Sequence, residues 1–504
     1  MEKPSRPHER LRLVCLSVAV FSLMAHGYRY LSMSFSGDAM LLSQAGEEAY
    51  QLSLGRFMQP VYWQLRGYIT APLLIGLFAT GFLCAAAVLM LRLLGITRKR
   101  DIVLSCGVLA TCETLAVSNA TYLPWTDVYM LALLLAVLGV ACFFQVKHGW
   151  LLSPVLYCLS LGLYQSYLPC AATLILLVLI VQLLRGGACR GIWARGALAC
   201  VSLLLGLLLY ALVLNVLLRV TGTQASQGYN GVGRVGLVSL DALPGLLADT
   251  YLTPLRLLFT GDTVMTWHIT TVPAALNLVI FVPAALLLLR RARSLSTPAR
   301  LTLAFLLGML PLGMNFIQFI SKGIASGLTI YAYTLSYLLP IALMGDARLR
   351  FARAMRGICA AALGVLLCHN VIVSNQMALK RDLELSATTS AMARLLDRVE
   401  QADGYVPGET PVVLIGMLPS SQIAMERPGF EQLARAQGMR YTYGAAYETS
   451  TYWYLQMALG EPIRLVEHSE RERLSQSAAA QALTAFPDEG CCRMIDGYLY
   501  LRIN

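Results

Sequence analysis

Long apolar runs, each close to the length that crosses a bilayer, constrain this chain more than any other feature. They fall at 11–31, 68–91, 102–118, 126–146, 150–166, 169–184, 197–218, 272–289, 301–320, 329–345 and 357–374. About 20 apolar residues in a helix span a hydrocarbon core, so the chain reads as an all-α polytopic membrane protein with about eleven helices. Composition agrees: 13% of residues are charged, against roughly 25% in soluble domains. The division of 150–184 into two helices rests on the polar break YQSYLP, with Pro169 starting the second.

The formal net charge of +11 does not point to nucleic acid, because of its distribution. Residues 1–374 hold 27 Lys and Arg against 12 Asp and Glu, whereas 375–504 hold 12 against 16. Basic residues collect in alternate loops, as at Arg92, Arg98, Lys99 and Arg100, at Arg290, Arg291 and Arg293, and at Arg348, Arg350, Arg353 and Arg356. That is the pattern of cytoplasmic loops. It predicts a cytoplasmic N-terminus and, for an odd helix count, an extracytoplasmic C-terminus. The first run has a basic flank but no convincing small-residue cleavage site, so it is expected to stay as a helix. Most of the 13 Cys lie in or beside apolar runs and read as small buried hydrophobes. The adjacent Cys491 and Cys492 allow a vicinal disulfide. The six His form no metal-like cluster, and no cofactor is indicated.

Two domains are expected: a transmembrane domain over 1–374, with extracytoplasmic loops 32–67 and 219–271, and a small α/β domain over 375–504. In the tail, TPVVLIG (410–416) and EPIRLVE read as strands, and PGFEQLARAQG and TYWYLQMALG as helices. SERERLSQ carries a capping box, Ser469 with Glu472. CCRMIDGYLYLRI reads as a hairpin turning at Asp496-Gly497. The absence of an internal repeat argues against a transporter.

The residues able to carry chemistry cluster near the outer ends of the predicted helices. Asp38, in SGDAM, follows the first helix, and Glu47 and Glu48 share its loop on a short interfacial helix. Arg56, in LGRFMQP, has two readings: snorkelling to the interface, or bidentate hydrogen bonding to a lipid phosphate. Glu113 is an acid well inside a predicted span, so it should face the bundle interior or a cavity. Asp127 begins the next helix and either caps it or shares an outer pocket with Glu113. Gln165 and Tyr167 either satisfy helix ends or meet sugar hydroxyls. Lys322 is an outer-side cation, read as a phosphate partner or an ordinary loop lysine.

On these residues the chain resembles the membrane glucosyltransferases of the Gtr type II kind, which modify O-antigen and have the GT-C architecture. SGDAM and LGRFMQP are similar to the family's first loop, YQSYL to its aromatic-Gln-small-aromatic segment, and VVLIG, YLQMALG and IDGYLYLRI to its C-terminal pattern. One departure stands out: Ala39 follows Asp38 where the family often has a second acid. The resemblance implies a sugar donor, glucose on polyprenyl phosphate, and an acceptor that is an envelope glycan or its lipid-linked precursor. It implies the bacterial plasma membrane, with catalysis outside. Asp38 would then be the general base, Arg56 and Lys322 would hold the lipid phosphate, and Glu113, Asp127, Gln165 and Tyr167 would bind substrate. A polymerase, ligase or flippase of envelope glycans, or a transporter, would share the overall layout.

Overall fold

The structure, a computed structural model, describes residues 7–32, 47–226, 240–260, 271–316, 327–345, 350–416 and 459–504. Asp38, Lys322, the helix expected at 428–438 and most of that expected at 451–460 lie outside the described residues. The described residues fall into two compact units. One draws on 7–31, 47–119 and 123–375, the other on Ser32, 120–122 and 376–504.

The first unit is a helical bundle. Its helices are α1 (Pro7–Leu31), α2 (Glu47–Ser53), α3 (Met58–Arg66), α4 (Pro72–Leu94), α5 (Lys99–Ala110), α6 (Glu113–Thr121), α7 (Thr126–Gln145), α8 (Gly149–Leu163), α9 (Leu168–Leu184), α10 (Cys189–Thr221), α11 (Leu243–Phe259), α12 (Thr271–Arg293) and α13 (Thr297–Met314). A broken run follows, α14 (Tyr331–Thr334) and α15 (Leu338–Gly345) about a 3₁₀ turn. Then comes α16 (Arg350–Glu400), which from residue 376 onward belongs to the second unit. Among the described residues, nine helical stretches are long and apolar enough to cross a membrane. The other two expected runs are present as shorter helices: α8 has 15 residues, and 331–345 is interrupted at Leu335–Tyr337. The chain is thus an all-α polytopic membrane protein with a small C-terminal sheet.

Sequence chemistry explains the breaks. Tyr164 is extended, a single 3₁₀ turn covers Gln165–Tyr167, and α9 starts with Pro169 in its first turn, where proline costs no hydrogen bond. The run expected at 102–118 divides at Thr111 and Cys112, so Glu113 opens α6 and does not sit mid-helix.

Close packing relies on small residues and hydroxyls. α7 packs against α4 and α8, and α10 against α8. A Cβ on Gly139 would sit 2.4 Å from the Tyr157 ring, so only glycine lets α7 and α8 approach this closely. Ser160 donates to the Ala132 carbonyl (2.8 Å) and Ser153 to that of Gly139 (2.8 Å), tying α8 to α7. Lys99–Thr121 and Gln165–Leu184 are mostly buried. In contrast, α10 turns Leu204, Leu208, Leu212 and Val216 outward, as a lipid-facing helix does.

In α11, Pro254 has no N–H for the Thr250 carbonyl one turn back. Asn315 fills the gap, donating to that carbonyl at 2.7 Å. Asn277 donates to the Leu258 carbonyl at 2.8 Å, in the last turn of α11. Each asparagine then accepts from a tyrosine of the broken run, Tyr333 on Asn315 and Tyr337 on Asn277.

The helix expected to end near 374 continues to Glu400. Its polar continuation contains no Gly or Pro that would stop it. In the second unit, Ala391, Met392, Leu395 and Val399 of this helix pack against Val412, Leu414, Leu499 and Leu501. The sheet has the order β2-β1-β4-β3 over β1 (Pro411–Ile415), β2 (Arg464–Leu465), β3 (Cys492–Ile495) and β4 (Tyr498–Arg502). β1 lies parallel to both β2 and β4, and β3 is antiparallel to β4. Asp496 (φ 48°) and Gly497 (φ 80°) turn this hairpin with both residues left-handed, as an Asp-Gly turn does. The expected cap at Ser469 does not form. That helix starts at His468, and Ser477 instead caps the next, accepting from the Ala480 N–H at 3.2 Å. Cys491 and Cys492 are free thiols, and burial pushes that of Cys492 up to about 12.

Candidate active site

The site is built where the loop between α2 and α3 meets the break between α8 and α9. Between Ser53 and Met58 the chain turns at Gly55, whose φ of 80° disfavours a side chain. A Cβ there would also stand 2.2 Å from the Tyr210 hydroxyl and 2.9 Å from Gln165 Nε2. The turn leaves the Leu54 and Gly55 carbonyls without backbone partners among the described residues. Side chains take both. Gln165 Nε2 donates to Leu54 at 2.7 Å, and Tyr210 of α10 donates to Gly55 at 3.1 Å. The same Gln165 nitrogen lies 3.0 Å from the Tyr210 oxygen and donates to it. Phe57 stacks on the Tyr210 ring with centroids 5.8 Å apart.

Arg56 is buried, and its guanidinium lies over the ring of Tyr164, 4.9 Å from the centroid. Its Nη1 donates to Gln51 Oε1 (3.1 Å), and Gln51 Nε2 donates to the buried Glu47 carboxylate (2.6 Å). Glu47 and Gln51, one turn apart on α2, are thus linked by hydrogen bonds to Arg56 in the loop that follows. Glu48 is exposed and accepts from Tyr68. The two motifs LGRF and YQSYL, about 110 residues apart in sequence, therefore form one site: Tyr164 supplies a π face to Arg56, and Gln165 anchors the peptide before it. The second loop touches this point too, since the Ser226 N–H bonds the Ser53 carbonyl at 3.0 Å.

Below it, α3 turns Gln59, Trp63 and Arg66 into the bundle, at helical spacing. Gln59 donates to the Leu163 carbonyl at 2.7 Å. Arg66 pairs with Asp127 at 2.9 Å and donates to the Pro124 carbonyl, also at 2.9 Å. Asp127 further accepts from Tyr62 (2.8 Å) and from the N–H of Val128 (2.9 Å). Burial and then the Asp127 charge push the Tyr62 phenol well above its ordinary range, so it stays a proton donor. The side chains of Arg66 and Asp127 are 1% and 0% exposed, so in this structure the Asp127 carboxylate serves the ion pair.

Tyr167 is fully buried against Tyr129 (6.3 Å between centroids), Tyr164 (6.1 Å) and Tyr331 (5.8 Å), and its hydroxyl has no hydrogen-bond partner among the described residues. Glu113, at the start of α6, has one carboxylate oxygen buried with no such partner. Sequence reasoning singled out Arg56, Gln165 and Tyr167 but not Gln51, Tyr164 or Tyr210. Gln51 and Tyr210 carried one readable signal, a polar group at a position otherwise set among apolar neighbours.

Apolar helices enclosing a buried arginine on an aromatic face define a polytopic membrane protein with a polar site at its first loop. The family model described as Glucosyl transferase GtrII matches residues 27–344, more than half of the 504 residues. The chain belongs to this family, and it is by that membership a membrane glycosyltransferase. No curated protein and no solved structure matches it.

Proposed function

We propose that the protein transfers glucose from a polyprenyl-phosphate donor to an envelope glycan, or to its lipid-linked precursor, at the outer face of the bacterial plasma membrane. The N-terminus is cytoplasmic and the tail domain extracytoplasmic. The family match carries this reading, because its span of 27–344 includes every candidate residue, Asp38 and Lys322 among them. In this mechanism Asp38 takes the acceptor hydroxyl proton as the oxygen attacks the anomeric carbon. The bond from that carbon to the phosphate oxygen breaks, and polyprenyl phosphate leaves. Arg56 and Lys322 stabilise its growing charge. Tyr164 and Gln51 support the role of Arg56 by fixing the guanidinium plane, which a bidentate phosphate contact requires. Glu113, Gln165 and Tyr167 line the sugar side, and the buried Asp127–Arg66 pair ties α3 to α7.

The test is transfer from labelled polyprenyl-phosphate glucose to lipid-linked glycan extracted from the same bacterium's membranes, by purified protein with no ion gradient. Wild type should transfer. Asp38→Asn should lose about 10²–10⁴-fold in rate, the usual cost of removing a general base, while remaining folded. Near wild-type turnover in Asp38→Asn would overturn the assignment of the base. No transfer by wild type to that glycan would overturn the proposed pairing of donor and acceptor.

A further inference from the structure

We infer that Tyr210 is a positioning residue for the donor site: it holds the Gly55–Arg56 peptide so that Arg56 meets the lipid phosphate in one orientation. The inference rests on the proposed role of Arg56 and adds a residue from α10, outside both sequence motifs. Three observations converge. The Tyr210 hydroxyl donates to the Gly55 carbonyl at 3.1 Å, one peptide before Arg56. That hydroxyl is itself held by Gln165, whose amide also grips the Leu54 carbonyl. Its ring stacks on Phe57, one residue after Arg56. Tyr210 therefore touches the chain on both sides of Arg56, while Tyr164 and Gln51 fix the guanidinium itself. A guanidinium fork depends on such fixing, because its advantage over a point charge is geometric. Displacements of about 1 Å at a supporting contact are felt at a reacting centre.

The experiment is a double-mutant cycle on glucosyl transfer by purified protein from synthetic polyprenyl-phosphate glucose to lipid-linked glycan extracted from the same bacterium's membranes, with Tyr210→Phe, Arg56→Ala and the pair. Tyr210→Phe keeps the ring and removes one hydroxyl. It should raise the donor KM about 3–10-fold, the worth of one buried hydrogen bond, and leave the acceptor KM unchanged. In the Arg56→Ala background the same change should have no further effect, since there is no guanidinium left to position. Gly55→Ala, which drives a Cβ into the Tyr210 hydroxyl from the other side, should give the same donor-specific signature. Phe57→Leu, which loses the ring stacked on Tyr210, serves as the second variant if Tyr210→Phe does not remain monodisperse, and it should give the same donor-specific rise. An unchanged donor KM, or a Tyr210→Phe effect of full size in the Arg56→Ala background, overturns the inference while wild-type transfer leaves the functional reading standing. Absence of transfer by wild type overturns that reading, and the inference with it.

Discussion

Deleting the Asp127 carboxylate should destabilise the bundle more than any surface change, and the contacts say by how much. Asp127→Ala removes the ion pair at 2.9 Å and the acceptor of the Tyr62 hydroxyl. Arg66, its side chain 1% exposed, is left with the Pro124 carbonyl as its described partner. Breaking a buried pair by removing one partner costs about 3–5 kcal/mol, chiefly because a charge stays buried without its counter-charge. Asp127→Asn keeps the shape and one accepting oxygen, so it should cost less than the alanine change. The apolar double replacement Arg66→Met with Asp127→Leu should recover most of the loss, because it removes both charges. The assay is reversible unfolding in mixed micelles with increasing SDS, followed by tryptophan fluorescence, since Trp63 and Trp125 flank the pair with centroids 6.2 Å apart. If Asp127→Ala unfolds within about 0.5 kcal/mol of wild type, a value typical of surface substitutions, the pair does not hold α3. The carboxylate would then be free to serve as the substrate ligand that its sequence position suggested.

Two further outcomes follow from the same reasoning. Asn315→Ala strands both the Thr250 carbonyl and the Tyr333 hydroxyl, and should cost about 1–3 kcal/mol in the same assay. Adding Pro254→Ala restores the helical N–H for Thr250 and should return part of that loss; no recovery would refute the role given to Asn315. For the proposed orientation, a reporter fluorescent only in the cytoplasm and fused after Asn504 should stay dark, and a bright fusion would reverse the assignment of the outer face.

The helices were legible because hydropathy over some 20 residues integrates many weak signals that all report the same solvent. The hairpin at Asp496-Gly497 and the break before Pro169 were legible because one backbone conformation there favours few residue types. The division at Thr111 and Cys112 was not, since neither residue interrupts a helix by its own propensity and the packing around it decides. The length of α16 was underestimated for the opposite reason: hydropathy stops at the end of the apolar run, but helix propensity does not. At the site, Arg56, Gln165 and Tyr167 were visible as polar or aromatic residues in short motifs. The Arg66–Asp127 pair was invisible, because its members lie 61 residues apart and only the fold brings them together.

The geometry around Gly55 also explains why two soft motifs carry more weight together than apart. α2 ends at Ser53 and α3 begins at Met58, so the turn between them exposes two carbonyls that no described backbone N–H reaches. Buried without donors, each would cost about 1–3 kcal/mol or more. The chain therefore needs two side-chain donors at this point, and Gln165 and Tyr210 supply them. Those donors come so close that position 55 must be glycine, and glycine in turn permits the left-handed turn that exposed the carbonyls. Glycine, glutamine and tyrosine are thus one solution to one hydrogen-bonding problem, and each loses its physical reason without the others. What the solution leaves in place is Arg56, the next residue, with its backbone held on both sides and its guanidinium against an aromatic face. That fixing answers the hydrogen-bonding need of the turn itself, and it would also serve the phosphate contact proposed for Arg56.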